Sequence, residues 1–293
     1  MDYFDRVQKS IDFIEKHITH DVELEEIARA AHCSLFHFHR IFQELVGDSV
    51  KDYVRKRRLS LAGKEIASSD AKVIDIALKY GYETPEAFTK AFKKYNGIPP
   101  QICRKSGSFK FREKACVHNF KSELREAGLT MKYRIVEKES FKIIGRELRV
   151  RNDNGDNYKL VPEFWDKCKN EGVWEELERL PRVLINGEGA CLGMSMDFDG
   201  INTFSYLICV EVSNFDTIPE KMVAKTIPAH KYAVFTAKGL MAESIQQTWK
   251  DIYGKWLLTS GYQRSSGPDF EHYDKRSEGN DENTEVDIYI PIK

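Results

Sequence analysis

The chain has 293 residues, of which 41% are hydrophobic and 12% aromatic. This length and composition exclude a disordered, collagen-like or low-complexity chain, and they are sufficient for two globular domains, each with its own core. The net charge of −1 is unevenly distributed, because residues 1–112 carry an excess of Lys and Arg and the remainder an excess of Asp and Glu, so that only the first part suits a polyanionic partner.

The sequence shows no targeting or membrane-spanning pattern. No basic stretch at the N terminus is followed by an apolar one, and no apolar run approaches the roughly 18 residues that a membrane helix needs. The six cysteines form no C-x-x-C pair, which predicts reduced, mostly buried thiols. We therefore expect a cytoplasmic protein without membrane contact, metal or other cofactor.

Residues 1–106 have apolar residues at helical spacing and contain an internal repeat. The segment VELEEIARAAHCSLFHFHRIFQELVGDSV (22–50) aligns with KVIDIALKYGYETPEAFTKAFKKYNGIPP (72–100). With a one-residue shift at the turn, the paired residues are Ile27-Ala28 with Ile76-Ala77, Ser34 with Thr84, Phe38 with Phe88, Arg40 with Lys90, Phe42 with Phe92, and Gly47 with Gly97.

Each copy of the repeat has the pattern of a helix-turn-helix: a helix containing a small alanine, a short turn, a Ser or Thr cap and a second helix with basic residues. Gly81 can take the positive φ that the second turn requires. His32 stands at the corresponding place in the first copy and is less favourable there.

The segment between the copies, SVKDYVRKRRLSLAGKEIA, predicts a helix of about 18 residues, or ~27 Å, capped at Asp48 or Ser49. A rigid spacer of this length is comparable with the ~34 Å between successive major-groove faces on one side of B-DNA. Within it the basic run at 55–58 predicts phosphate contacts, for which the candidates are Arg55, Arg57 and Arg58. A solvated surface is the alternative interpretation of such a run.

The first third of the chain resembles the DNA-binding domain of the AraC/XylS family of transcription regulators. The resemblance rests on LEEIARAAHCSLFHFHRIF, on the helix DYVRKRRL and on IALKYGYETPEAFTKAFKKYNGIPP. It covers residues 1–106 and implies a seven-helix domain that binds double-stranded DNA, with one recognition helix in each major-groove segment.

In that family the first recognition helix meets bases near its start and one turn later, which implies roles here for Leu35, Phe36, His39 and Arg40. Arg40 can reach the O6 and N7 atoms of guanine. In the second recognition helix the corresponding residues are Pro85, Glu86, Ala87, Thr89 and Lys90. Because this set is poor in polar base readers, we expect the second helix to contribute more to positioning than to specificity. His37 and His39 point to different faces of a helix, which argues against a metal site.

The second half of the chain changes to strand patterns. Residues 107–130 lack periodicity and are interpreted as a linker with an extra strand or short helix. From Met131, the order strand, strand, helix, strand, strand occurs twice, with predicted hairpins at 131–150 and 222–239. The predicted fold class is therefore multidomain: an all-α double helix-turn-helix domain followed by an α+β domain (131–293) of two strand-strand-helix-strand-strand modules. A groove between the two module helices would suit a small ligand.

Residues 131–293 resemble the GyrI-like effector-binding domains. The resemblance rests on the duplicated module, on WLLTSGYQ, on the acidic PDFEHY and on the terminal VDIYIPIK. The order of the two domains is that of the Rob-like regulators. It implies a transcription regulator whose second domain binds a small amphipathic effector. The more specific hypothesis is a cationic, aromatic effector.

Glu271 corresponds to a glutamate that lines the central pocket of such domains and faces cationic, aromatic ligands. A carboxylate among aromatic rings combines charge pairing with cation–π contacts, whereas an exposed glutamate in a surface ion pair is the alternative. The candidate aromatic walls, each of which also has an ordinary core interpretation, are Trp165, Phe204, Tyr206, Phe235, Tyr273 and Tyr289. Trp249, Tyr253 and Trp256 recur at helical spacing and are interpreted as one packed helix face.

Two other hypotheses remain open at the level of sequence. Some GyrI-like domains are hydrolases, and Glu271 could activate water if its pKa were raised in an apolar pocket, although no nucleophile–His–carboxylate or metal pattern accompanies it and we do not expect an enzyme. Alternatively, the second domain binds a protein partner such as RNA polymerase, which predicts a filled groove with Glu271 exposed.

Overall fold

The computed structural model describes residues 2–31, 35–120, 124, 131–151, 157–184, 187–198 and 203–293, with the backbone alone for residues 35, 36 and 158. The chain divides into two compact domains, Met1–Glu126 and Ala127–Lys293, called here the helical domain and the sheet domain. Within the described ranges, no helix has the length and apolar character needed to cross a membrane.

The described part of the helical domain up to residue 106 contains seven helices. They are α1 (Tyr3–Lys16), α2 (Leu24–Ala30), α3 (Leu35–Val46), α4 (Val50–Ser68), α5 (Val73–Lys79), α6 (Pro85–Asn96) and α7 (Pro100–Ser106). The pairs α2–α3 and α5–α6 are the two helix-turn-helix units, and the 19-residue α4 connects them. The connecting helix agrees with the length predicted from the sequence.

Local chemistry explains where these helices begin and end. Ser49 caps α4, because its hydroxyl accepts a hydrogen bond from the Asp52 N–H at 3.1 Å. Thr84 caps α6 in the same way, with Pro85 in the first turn. Gly81 has a φ of +78°, as predicted for the second turn. The first turn, including His32 and the expected cap Ser34, lies outside the described residues.

Two aromatic clusters hold the helices of this domain together. In the first unit the Phe38 and Phe42 rings lie 5.5 Å apart, and Phe42 meets Tyr53 of α4 edge-on at 5.7 Å. In the second unit the buried core consists of Leu59, Ala62, Ile66, Ile76, Ala77, Tyr80, Phe88, Phe92 and Cys103. Because α4 contributes to both clusters, it is the common support of the two units.

Part of the predicted linker lies along the helical domain. Residues 108–117, called here the strap, have no regular secondary structure and are hydrogen-bonded to side chains of α1 and α4. The hydroxyl oxygens of Ser60 and Tyr53 accept bonds from the N–H groups of Arg112 (2.8 Å) and Ala115 (3.2 Å), and Gln8 accepts one from residue 117 (3.0 Å). The strap therefore belongs to the folded helical domain.

The sheet domain is built on one antiparallel sheet whose order, in the described residues, is β1-β6-β8-β7-β3-β4-β2-β5. The strands are β1 (Arg134–Lys138), β2 (Phe141–Arg151), β3 (Cys191–Met196), β4 (Thr203–Val212), β5 (Val223–Ile227), β6 (His230–Lys238), β7 (Asp269–Tyr273) and β8 (Glu285–Ile292). The helices are α8 (Asn157–Asn170), α9 (Val173–Glu178), α10 (Met241–Asp251) and, after a π-helical turn over Ile252–Trp256, α11 (Leu257–Thr259).

The two predicted hairpins are wrong in their pairing. β1 pairs with β6 rather than with β2, and β5 pairs with β2 rather than with β6. The first strand of each module thus adds to the second strand of the other module. The two-residue connections β1–β2 and β5–β6 therefore join strands at opposite ends of the sheet order rather than neighbours, and the five-residue strands β1 and β5 form its edges.

The two modules meet at the β7–β3 junction, where Glu271 and Gly193 are directly opposite each other. α8 packs on β2 and α10 packs on β6 and β8. The sheet is strongly curved, and its other face lines the inside of the curve. The rings of Phe141 on β2 and Phe270 on β7 show this: they lie 6.3 Å apart, although β3 and β4 lie between the two strands. Both faces are therefore buried, and the junction lies beneath the two helices.

Candidate functional site

Strand alternation directs one face of β7 toward the helices. Glu271 and Tyr273 are two residues apart and share the face on which Tyr206 of β4 also lies. The module helices bring in one tryptophan each, Trp165 from α8 and Trp249 from α10. These five side chains form what we call the glutamate site.

The glutamate site is organised around the carboxylate of Glu271. Its Oε1 accepts a hydrogen bond from Trp249 Nε1–H at 2.8 Å. Its Oε2 accepts bonds from the hydroxyls of Tyr206 at 3.2 Å and Tyr273 at 3.0 Å. Trp165 Nε1–H in turn donates to the Tyr206 hydroxyl oxygen at 2.9 Å. Both carboxylate oxygens of Glu271 thus accept hydrogen bonds from neighbouring side chains, and these bonds fix the position of the carboxylate.

Both tyrosines remain donors over a wide pH range. Burial raises the pKa of Tyr206 well above its usual value, and the charge of Glu271 raises it further. The pKa of Tyr273 is raised for the same two reasons. Because neither phenol ionises near neutral pH, the site keeps one carboxylate facing neutral hydrogen-bond donors.

Gly193 leaves the space in which this network sits. A Cβ at this position would lie 2.4 Å from the Tyr206 hydroxyl and 2.9 Å from Glu271 Oε2. A side chain on β3 at the junction would therefore displace the carboxylate or its donor. The absence of a side chain here is a requirement of the geometry, although the backbone of Gly193 has no positive φ.

Aromatic rings surround the half-buried carboxylate. Trp165 meets Tyr273 edge-on at 5.1 Å and lies 5.4 Å from Trp174 of α9. Trp249 stacks on Tyr253 at 6.0 Å. An anionic group with π faces on several sides is suited to an apolar cation, because the charge and the ring quadrupoles act on it together.

Three of the predicted wall residues do not contact Glu271 in the described contacts. Tyr289 points to the opposite face of the sheet, where it stacks on Phe270 at 4.4 Å, because β8 places it out of phase with Ile288, the partner of Glu271. Phe235 shares the face of Glu271 but lies two strands away, beneath Trp256 at 4.8 Å. Phe204, two residues before Tyr206, stacks on Phe198 at 5.9 Å.

The spacing of Trp249 in the sequence indicates only a packed helix face and does not reveal its place in the glutamate site. The duplication contained the signal, since Trp165 and Trp249 each lie eight residues after the first residue of their helices. Tyr253 and Trp256 do pack on the sheet domain and are buried. Both lie within the π-helical turn at Ile252–Trp256, which changes the helical phase after Trp249.

The predicted DNA-contacting residues lie on α3 and α6. The side chains of Leu35 and Phe36 fall outside the described residues, and His39 and Arg40 are half-buried on α3. On α6, Glu86 and Lys90 are exposed, whereas Pro85 and Thr89 are half-buried. The first turn of α6 is therefore accessible, and its base contacts stay a prediction.

The three arginines of the basic run have different environments. Arg55 is exposed and pairs with Asp52 one turn earlier at 2.6 Å. Arg57 is buried: its Nε and Nη2 groups donate to the two oxygens of Glu15 at 2.7 and 2.6 Å, and its Nη1 donates to the Arg112 carbonyl. The phosphate role expected of Arg57 is contradicted by this burial. Arg58 donates to backbone carbonyl oxygens at residues 18 and 20.

Comparison with known proteins agrees with this division of the chain. The helix-turn-helix domain family matches residues 27–106, and the family described as integron-associated effector binding protein matches residues 134–292. The HTH-type transcriptional regulator YbfP of Bacillus subtilis is 47% identical over 104 residues, which are 36% of this chain and 35% of that protein. The chain thus covers about a third of YbfP.

Two further relatives extend over the sheet domain. The right origin-binding protein of Escherichia coli is 23% identical over 300 residues, which cover 100% of both chains. A solved structure bound to tetraphenylphosphonium covers 56% of this chain and 94% of its own, with 24% identity and a TM-score of 0.49. Because the effector-binding match alone spans more than half of the chain, this protein belongs to the integron-associated effector binding protein family and, with its N-terminal AraC-type helix-turn-helix domain, is an AraC-family transcription regulator.

Proposed function

We propose that the sheet domain senses a small lipophilic cation through Glu271, and that the helical domain binds a bipartite DNA site through α3 and α6. The observation that carries the first part is the carboxylate of Glu271, which Trp249, Tyr206 and Tyr273 hold in an aromatic surround. Hydrogen bonds to a carboxylate favour its charged form, and a negative charge at this position attracts a cation. An apolar cation then gains charge pairing and ring contacts together.

The DNA part of the proposal rests on the repeated helix-turn-helix unit and on the exposure of α6. Two helix-turn-helix units lie in one domain and are joined by the 19-residue α4. The second recognition helix, α6, presents Glu86 and Lys90 to solvent. Two units in one chain can engage two successive major-groove segments without a dimer.

Tetraphenylphosphonium and tetraphenylborate provide a direct test, because they have nearly the same shape and opposite charge. We expect the cation to raise the melting temperature of the sheet domain and the anion to leave it unchanged. Glu271→Gln keeps the size and one acceptor oxygen but removes the charge, and we expect it to weaken cation binding by about tenfold or more in calorimetry.

Glu243→Gln is the matched control, since Glu243 is exposed on α10, the helix that carries Trp249. It should bind the cation like the wild type. Equal responses to both ions, or a cation response that Glu271→Gln leaves intact, would exclude a cation site at Glu271. Binding of neither ion would favour a protein partner for the sheet domain.

A further inference from the structure

Arg58 lies on α4 with its side chain directed at the entrance of the first helix-turn-helix unit. Its Nε donates to the carbonyl oxygen of Ile18 at 2.8 Å, and its Nη2 donates to that of His20 at 2.6 Å. Both carbonyls belong to the connection between α1 and α2. The side chain is 16% exposed, and a carboxylate oxygen of Asp21 lies 3.8 Å from Nη2.

The same guanidinium touches the second helix-turn-helix unit. A Cβ built on Gly81, in the turn between α5 and α6, would lie 2.6 Å from Arg58 Nη1 and 3.2 Å from Cζ. Gly81 therefore meets two requirements at once: a positive φ of +78° and room for the arginine. A single side chain thus contacts the loop before the first unit and the turn within the second.

The chemistry of arginine suits this bridging role. The guanidinium is a rigid planar fork, and charge-assisted bonds from two of its nitrogens to carbonyl oxygens fix its plane. Lysine carries the same charge but cannot reproduce the fork. Arg55, three residues earlier, is 46% exposed and pairs with an acidic residue of its own helix, so it provides a matched arginine on α4 for comparison.

We infer that Arg58 is a positioning residue that sets the separation and rotation between the two helix-turn-helix units, and so sets the half-site spacing that this protein accepts on DNA. The inference rests on the proposed binding of a bipartite DNA site. One inserted base pair moves the second half-site by about 3.4 Å and rotates it by about 35°. A fixed pair of units discriminates against that change, whereas a pair free to rotate tolerates it.

The experiment begins with duplexes selected by the full-length wild-type protein from a random library. Their two half-sites are then placed at the selected spacing and at one base pair more or less, and each half-site is also prepared alone. Dissociation constants are measured by fluorescence anisotropy at several salt concentrations for the wild type, Arg58→Gln, Arg58→Lys and Arg55→Gln.

We expect the wild type to prefer the selected spacing by on the order of tenfold, as for a mismatched base pair. In Arg58→Gln and Arg58→Lys that preference should fall to about threefold or less, with affinity for isolated half-sites retained. Arg55→Gln should weaken binding to every duplex alike and reduce the salt slope by about one, as a phosphate contact does.

The lysine variant separates the two roles, because it keeps the charge that a phosphate contact needs. If Arg58→Lys keeps the wild-type spacing preference while Arg58→Gln weakens all duplexes equally, Arg58 is a phosphate contact and the inference is overturned. If the wild type selects single half-sites only, the bipartite proposal itself fails and the inference with it. Circular dichroism of both variants verifies that they are folded, and the lysine variant is sufficient where the glutamine variant unfolds.

Discussion

At the scale of single residues, the helical domain depends on a pair of charges that is almost removed from solvent. The side chains of Arg57 and Glu15 are 6% and 15% exposed. The Tyr53 hydroxyl also donates to Glu15, at 2.9 Å. The hydrogen bond with Glu15 is the largest effect that raises the pKa of Arg57. A pair of this kind adds little to stability as a whole, but loss of one partner leaves an uncompensated buried charge.

Arg57→Ala should therefore lower the free energy of unfolding of the helical domain by about 3–5 kcal/mol, because Glu15 remains buried without its cation. Arg55→Ala is the matched control, and an exposed arginine at this position should contribute about 0.5 kcal/mol or less. Urea denaturation followed by circular dichroism measures both. A stable Arg57→Ala protein with a reduced salt slope on DNA would restore Arg57 as a phosphate contact.

The sequence predicted part of the glutamate site and not all of it. The resemblance and the residue types indicate Glu271, Tyr206, Tyr273 and Trp165, and these side chains lie together. Only its residue type indicates Tyr289, and the alternation of side chains along β8 places it on the opposite face of the sheet. Composition cannot reveal that phase, because both faces of this sheet are apolar and the usual alternation of polar and apolar residues is lost.

At the scale of elements, the strap shows how an irregular segment can stabilise helices. Phe109 lies against Gly63, where an added Cβ would be 3.0 Å from the Phe109 side chain. A glycine inside a long helix is unfavourable by about 1 kcal/mol relative to alanine. At Gly63 the missing side chain leaves room for Phe109 to pack directly against α4. The strap also connects α4 to α1 through Gln8.

Phe109→Ala should lower the unfolding free energy of the helical domain by about 1–3 kcal/mol, because a half-buried ring is lost from the surface of α4. Phe111→Ala is the control: the same residue type two positions later is 53% exposed, and its removal should change stability little. Hydrogen exchange of the α4 amides in the full chain reports the difference. Equal protection in the two variants would mean that the strap does not support α4.

The exchange of β1 and β5 between modules could not be predicted from local sequence. Each strand is joined to the next by a connection of two residues, Glu139-Ser140 and Pro228-Ala229, which is the ordinary signature of a hairpin. The actual partners are distant in sequence, and a local pattern cannot identify them because the hairpin and the exchanged pairing would cover β2 and β6 equally well. Helix positions, in contrast, follow from caps such as Ser49 and Thr84 that act over three residues.

At the scale of the whole molecule, a regulator with two binding domains must obey thermodynamic linkage. If a cation at Glu271 changes the affinity for DNA by some factor, DNA must change the affinity for the cation by the same factor. Couplings of this kind are typically about 1–3 kcal/mol, or about 5- to 150-fold in affinity. This equality of the two factors holds for any mechanism that couples the domains. Measuring both factors therefore tests whether the effector controls DNA binding, and no mechanism of coupling has to be assumed.

We therefore expect the dissociation constant for a selected duplex to shift when tetraphenylphosphonium saturates the protein, and the constant for the cation to shift by the same factor when the duplex saturates it. Glu271→Gln should bind the duplex normally and lose the response to the cation, because the site lies outside the helical domain. If the cation also changes the dissociation constant of Glu271→Gln for the duplex, that change arises from the action of the cation on the DNA itself. A cation that binds the wild type and leaves DNA affinity unchanged would contradict effector control of DNA binding, even with the site at Glu271 intact.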